Sequence, residues 1–382
     1  MKIKKNKYIK ILFASLIVLF FSFIFNYKIS DLEDDYLIKE VYEDKDGNTR
    51  EISEQYSILL ENLFDYRNKA ILEKNEELLK GLYDTDIKFG LWAYEHEVSK
   101  MKYLENWSSK QGVHFNDIKT KVKIRKMRER EKDLYGIICN VSTEYKYSYD
   151  NEPEKENMCR IGTYHYLHVK VKDNSYIITK EWYTDPFADS LNLENIKSED
   201  IKNYIMNHEK IEPQLTEEQK KAIAYAHKYC GFAADEEDGL SFNKNYKDFN
   251  GDGGDCANFA SQIMYESGRF KKNETWNYEN GSATKAWVNA QGSKNYIVYS
   301  GRGSYISKGT YEEVYKDAYN LRPGDFVGYE KRGRITHVST VTGFDSKGYP
   351  LVTCHNTDRL EVPWDLGWSD KSIKFHLIKV NY

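Results

Sequence analysis

The 382-residue chain carries 56 Lys and Arg against 60 Asp and Glu, a formal net charge of -4, which removes the general basic face that nucleic-acid binding would favour. At about 100–200 residues per domain, the length leaves room for two folded domains, each large enough to bury its own core. The five cysteines, Cys139, Cys159, Cys230, Cys256 and Cys354, include no C-x-x-C pair. That spacing supports neither a zinc site nor a disulfide scaffold, and the odd count leaves at least one free thiol.

The chain opens on Lys2, Lys4, Lys5, Lys7 and Lys10, then an uncharged run from Ile11 to Phe25, then Lys28. A basic start before an apolar run is the pattern of an export signal. The run is short against the roughly 17–25 residues of a spanning helix, although Tyr8 and Tyr27 extend it. No small-x-small cleavage site stands out. Residues 1–28 are therefore expected to be a signal anchor or a cleaved signal peptide, with the anchor favoured, and the remainder to lie outside the cytoplasmic membrane, in contact with it through this segment. Residues 29–50, with Asp31, Glu33, Asp34 and Asp35, read as a polar stalk.

An α+β domain is expected over residues 51–187. Tyr56, Leu59, Leu60, Leu63 and Phe64 recur at helical steps, and a second helical stretch covers Ile87 to Trp107. Strands follow at Val122–Met127, Leu134–Tyr147, Thr163–Val171 and Ser175–Tyr183, the last two joined by a hairpin turn at Asp173-Asn174. Helices before an antiparallel meander resemble, in order alone, the cone-shaped nuclear-transport-factor-like fold. His165 and His168 sit three apart on a strand and so point to opposite faces, which makes them poor partners for one metal ion. Residues 188–213 are polar and read as a linker with some helix. The next domain, residues 214–382, starts with the capping box Thr216-x-x-Gln219. The helix behind it carries Ala222, Ala226 and Tyr229 on one face and ends before Gly231.

Chemistry concentrates in Asp252-Gly253-Gly254-Asp255-Cys256-Ala257-Asn258-Phe259. A glycine turn leads into a helical pattern in which Phe259, Ile263 and Met264 recur and Gly268 ends the run. Cys256 falls in the first helical turn, where free N–H groups and the helix dipole favour a thiolate and offer donors to an oxyanion. Asp255 takes the N-cap position. A nucleophilic cysteine needs a base, and the base needs an orienting group. Arg334–Gly343 reads as a β-branched strand carrying His337. The turn Asp345-Ser346-Lys347-Gly348 leads to a second strand, Leu351–Asn356. Folding the pair about that turn sets His337 opposite His355 or Asn356, according to register.

Several of these stretches together carry a family resemblance. The run from Lys221-Ala222-Ile223-Ala224-Tyr225-Ala226 to Gly253-Gly254-Asp255-Cys256-Ala257-Asn258-Phe259-Ala260-Ser261-Gln262 is similar to the bacterial putative amidase domain family. That family belongs with the papain-like cysteine hydrolases, beside NlpC-type and CHAP cell-wall enzymes. Ala286-Trp287-Val288, Leu321-x-Pro323-Gly324-Asp325-Phe326, Thr336-His337-Val338 and His355-Asn356-Thr357-Asp358 follow in family order. Ala257 departs from the pattern, where threonine is expected more often. The resemblance implies a papain-like fold over residues 216–382, with Cys256 as nucleophile, His337 as base and His355 as orienting residue. Asn356 is the alternative third member. No cofactor is implied.

Asp248-x-Asn250-x-Asp252-Gly253 begins like a calcium loop, but its twelfth position is Phe259 rather than an acidic ligand, so a glycine turn shaping the approach to Cys256 is the better reading. Asp255, Trp276, Trp287 and Tyr299 are candidates to line a substrate groove, against the commoner role of aromatics in core packing. Cys230 and Cys354 read as small apolar residues, and His227 and His376 have no evident partner. The expected substrate is peptidoglycan or another extracellular peptide or amide. A non-catalytic cell-wall binding protein is the competing class, and acyl transfer to an amine would use the same site.

Overall fold

The computed structural model describes residues 48–172, 175–188, 190, 197–234, 241–368 and 370–382. The segment expected to be a signal anchor or signal peptide, nearly all of the expected stalk, and the expected Asp173-Asn174 turn lie outside the described residues. Among the described residues, no helix is long and apolar enough to cross a membrane.

The architecture is α+β, built on one large antiparallel sheet. It begins with helices α1 (Asn48–Glu73), α2 (Glu76–Lys80) and α3 (Lys88–Gln111). Leu60, Leu63, Phe64 and Ile71 of α1 are buried, at the three-, four- and seven-residue steps of one helix face. Strands β1 (Val113–Glu131), β2 (Leu134–Tyr149), β3 (Glu152–Lys172) and β4 (Ser175–Tyr183) follow. β1 and β3 run well past the segments expected from sequence, whereas β2 exceeds its expected segment by two residues. Polar positions such as Lys119, Lys121 and Lys123 alternate along β1 with buried Ile118, Thr120 and Val122, so one face of the ribbon is covered and the other is wet. His165 is buried and bonded to Glu181 and Thr163, whereas His168 bonds to the Tyr166 hydroxyl. Their separate surroundings agree with the opposite faces expected of them.

Helix α4 (Glu199–Met206) buries Ile201 and Ile205. Helix α5 (Glu217–Lys228) opens with the expected reciprocal bonds between Thr216 and Gln219. Helix α6 (Cys256–Glu266) is buried from Cys256 through Met264. One face of α6, with Ala257 and Ala260, joins the core around Ile335 and Val338, while Phe259 and Ile263 join Ala222 and Ala226 of α5. Packed on both faces and buried through Met264, α6 is a fixed platform for its first residue. Beyond it come the short strands β5 (Tyr278–Glu279) and β6 (Ser282–Ala283), helices α7 (Lys285–Val288) and α8 (Ala290–Tyr299), strand β7 (Gly303–Gly309) and helix α9 (Tyr311–Val314). Strands β8 (Phe326–Lys331), β9 (Arg334–Phe344), β10 (Pro350–Cys354), β11 (Asp358–Pro363) and β12 (Lys374–Val380) complete the sheet.

The strand order is β1-β2-β3-β11-β10-β9-β8-β12-β7, with β4 also paired to β3. The early part of β3 pairs with β11, Arg359 facing Ile161, and its later part pairs with β4. One sheet thus passes through the stretches on both sides of residues 188–213. Buried polar contacts reinforce the join. Lys197 meets Asp365 at 2.7 Å, the Trp107 indole donates to Asp365, and the Tyr149 hydroxyl donates to Asp345 at 2.7 Å. Burial leaves such groups costly when unpaired, so these contacts tie Lys197 and the segments before residues 188–213 to those after them. The residues contributed by β11 to the site below are held by that seam.

Candidate active site

Cys256 and His337 line one cavity of about 750 Å³. Cys256 arrives from the start of α6 and His337 from β9. The wall also takes Thr184, Asp185 and Pro186 from the segment after β4, the Lys331–Arg334 hairpin tip, and Asn356, Thr357 and Arg359 from the β10–β11 connection. A cavity of this size suits a small ligand or a peptide segment.

The approach to Cys256 is built from backbone that few residues tolerate. Gly254 has φ +127°, and a Cβ there would lie 2.3 Å from Asn356 Nδ2. Only glycine lets the two segments close. The Asn356 side-chain oxygen then accepts the Asp255 N–H at 2.6 Å, fixing the peptide just before the nucleophile. Asn356 and Thr357 both have positive φ, 68° and 56°. Thr357 is β-branched, so this conformation is a true outlier, of the kind that persists where surrounding structure over-determines it.

Asp255 occupies the N-cap position but makes no side-chain cap. Its Oδ1 instead accepts from Phe249 N and Asn258 Nδ2, and its Oδ2 meets His355 Nδ1 at 2.6 Å. His355 Nε2 lies 2.7 Å from the Tyr229 carbonyl, and Phe259 stacks on the ring at 3.7 Å. Both nitrogens of His355 are therefore committed away from His337. The reason is local. Strand β10 ends at Cys354, so His355 and Asn356 fall in the turn to β11 rather than across from His337. Asn356 likewise gives its side-chain oxygen to Asp255. Neither expected third member orients the imidazole. Both instead hold the Asp255–Cys256 junction.

The surroundings of His337 come from residues that sequence reasoning did not place there. Its Nε2 lies 3.3 Å from Cys354 Sγ. The ring stacks on Trp368 at 5.2 Å and 23° and tilts against Tyr329. Trp368 and Tyr329 are stacked on each other, so aromatic packing sets the ring plane. Burial, aided by the Arg359 guanidinium, lowers the imidazole pKa to about 3. Burial raises the Cys256 thiol to about 12 against the pull of the Val338 and Ala257 amides, which favour the thiolate. The resting pair is thus neutral thiol and neutral imidazole, not the thiolate expected of a helix-start cysteine, because desolvation outweighs the helix terminus. Alkylation of Cys256 should accordingly climb roughly tenfold per pH unit from pH 7 upward, following the rare thiolate. A rate flat between pH 5 and 8, read by peptide mass analysis, would show a thiolate already paired with an imidazolium.

The other expected site residues lie elsewhere. Trp276 and Trp287 are fully buried, with ring centroids 4.5 Å apart. Their N–H groups donate to Ser261 Oγ and Asn258 Oδ1, so they brace α6 from within and line no groove at Cys256. Tyr299 is exposed beside a separate surface hollow. In the segment resembling a calcium loop, Asp252 is paired with Lys247 at 2.6 Å and Asp248 accepts the Asn250 N–H. All five cysteines are buried free thiols. His227 meets Glu361 at 3.2 Å and His376 meets Glu330 at 2.8 Å, partners that the sequence did not disclose.

Residues 216–378 match the family model described as a putative amidase domain, which suggests amide hydrolysis as the coarse activity of this part of the chain. No curated protein matches the chain. The crystal structure of the intermembrane space region of chloroplast protein ARC6 aligns with 33% of this chain and 95% of its own, at 11% identity and a TM-score of 0.24. That likeness carries no argument.

Proposed function

We propose that the cavity at Cys256 is the active site of a papain-like cysteine amide hydrolase, working outside the cytoplasmic membrane on peptide or amide bonds of the cell wall. The observation that carries this reading is the meeting of a helix-start cysteine and a neutral histidine in one cavity inside the amidase-like segment. The basic and apolar N-terminus supports the location.

His337 acts as general base. No hydrogen bond joins it to Cys256 in the resting protein, and contacts of this kind commonly tighten only when substrate is bound. The imidazole takes the thiol proton as sulfur attacks the carbonyl carbon, and backbone N–H groups at the start of α6 receive the developing oxyanion. The imidazolium returns the proton to the leaving amine, leaving a thioester on Cys256. Water then attacks with His337 again as base, releasing the acid and the free thiol. Acyl transfer differs only in replacing that water by an amine.

Purified peptidoglycan incubated with the protein should yield new amine and carboxyl ends by mass analysis. Products identical to those from the Cys256→Ala protein would remove the cell-wall substrate.

A further inference from the structure

Four cationic side chains, Lys331, Arg332, Arg334 and Arg359, line the cavity at Cys256, against a single carboxylate, Asp185. The chain as a whole is slightly acidic, so the excess is local. Asp185 is itself engaged, with one oxygen 2.8 Å from His96 Nε2 and the other accepting the Phe187 N–H.

Three of the cations sit on one device. Lys331 and Arg334 face each other at the end of the β8–β9 hairpin, and Arg332-Gly333 makes its two-residue turn with both φ values positive, 50° and 79°. Such turns favour asparagine, aspartate or glycine at the first position, yet this one holds an arginine. Arg332 and Arg334 are exposed and have no ion-pair partner among the described residues. The fourth cation is of a different kind. Arg359 is 2% exposed. Its two terminal nitrogens donate to the Leu366 and Pro186 carbonyls, and its Nε is buried without a hydrogen-bond partner. Gly367 makes room for it, since a Cβ there would lie 2.8 Å from Arg359 Nη2. A fixed buried guanidinium and two free ones at the rim therefore face the same space as the nucleophile.

We propose that the substrate carries a carboxylate close to the amide attacked by Cys256, guided in by Arg332 and Arg334 and received beside Arg359. This rests on the hydrolase reading above and narrows its substrate class. Guanidinium groups match a carboxylate in both charge and planar geometry, and a cleft lined by one sign of charge concentrates ligands of the other. The arrangement also couples binding to chemistry. Arg359 disfavours the imidazolium form of His337, and a carboxylate set beside Arg359 offsets that field, so the correct substrate makes its own base more effective.

Two reagents that differ in charge test the proposal on the full chain without any need for turnover. Iodoacetate and iodoacetamide both alkylate the thiolate, and peptide mass analysis reports modification at Cys256. The ratio of the iodoacetate rate to the iodoacetamide rate is expected to exceed that of free cysteine by about tenfold at low salt, and to fall toward it in about 1 M salt, where the screening length is roughly 3 Å. The doubly substituted protein, Arg332→Gln with Arg334→Gln, changes only exposed side chains and should lose most of the excess with its unfolding temperature preserved. A ratio equal to that of free cysteine, or one indifferent to the double substitution, overturns the proposal even if amides are hydrolysed. A raised ratio in a protein that cleaves nothing leaves the anion site standing and removes the hydrolase reading. Peptides bearing the carboxylate at the C-terminus or on a side chain separate the two sources. Either should be cleaved faster than its amidated counterpart, and equal rates for both pairs also overturn the proposal.

Discussion

Replacing Cys256 by alanine will abolish amide hydrolysis and leave the fold in place. Loss of a catalytic nucleophile costs on the order of 10⁶ in turnover where it has been measured in a triad hydrolase. The structural cost is small by comparison. Cys256 is the first residue of α6, its thiol makes no hydrogen bond to another side chain, and alanine keeps the Cβ and the backbone. The removal of one buried sulfur should cost about 1–2 kcal/mol, within reach of a body with so extensive a core. Circular dichroism and thermal unfolding check the fold, and product mass analysis checks the activity. Substantial turnover by Cys256→Ala would move the nucleophile elsewhere, and Cys354, whose sulfur lies 3.3 Å from His337 Nε2, would be the first place to look.

The second large effect belongs to stability. His355→Ala removes the partner of a buried carboxylate, since Asp255 and His355 are 1% and 2% exposed and 2.6 Å apart. Breaking a buried pair from one side typically costs about 3–5 kcal/mol, and the Tyr229 carbonyl loses its donor as well. For a body of this size the unfolding temperature should fall on the order of 10 °C. Burial disfavours the charged ring, but the Asp255 carboxylate on Nδ1, with Asp358 nearby, outweighs it and holds the pKa above its ordinary value of 6.5. The sign follows from linkage. The stabilisation is fully present below pH 6.5 and is lost as pH rises through the folded-state pKa. His355→Ala should lack that alkaline decline, and His355→Gln, which keeps a donor, should recover part of the stability. If His355→Ala kept its unfolding temperature but lost all activity, the residue would belong to the chemistry rather than to the support of Cys256.

The role of His355 also shows where the sequence was legible and where it was not. Cys256 could be placed at a helix start because Gly253-Gly254 stops one element and the Phe259, Ile263 and Met264 spacing begins the next. His337 could be placed on a strand because β-branched residues surround it. The hairpin about Asp345–Gly348 was readable for the same reason, and β9 and β10 do pair, Thr340 with Thr353. The point at which β10 stops was not readable. Asn356 and Thr357 adopt left-handed backbone conformations, and a β-branched threonine gives no local hint of that. Carrying the strand two residues too far set His355 or Asn356 across from His337. In the folded chain His355 turns the other way, to Asp255.

Arg359 and Trp368 were invisible for another reason. Arg359 reaches the site because its guanidinium is fixed by the Pro186 and Leu366 carbonyls, a contact made only after β11 pairs with β3 some 200 positions earlier in the chain. No periodicity within β11 encodes it. Trp276 and Trp287 failed as groove residues because Ser261 and Asn258, on the buried face of α6, supply partners for both indole N–H groups. With those polar handles satisfied, the rings could enter the core at little cost. The neutral state of the Cys256–His337 pair is a property of burial, and burial is set by the whole assembly around α6 and β9.

The most direct measurement is acid-quenched mass analysis of the protein caught during turnover on a peptide substrate or on peptidoglycan fragments. A covalent thioester intermediate predicts an added acyl mass on the peptide that contains Cys256, chased away by water or by an added amine and absent from Cys256→Ala. An adduct on Cys354, or steady turnover with no adduct on any cysteine, would contradict the assignment of Cys256 as the nucleophile.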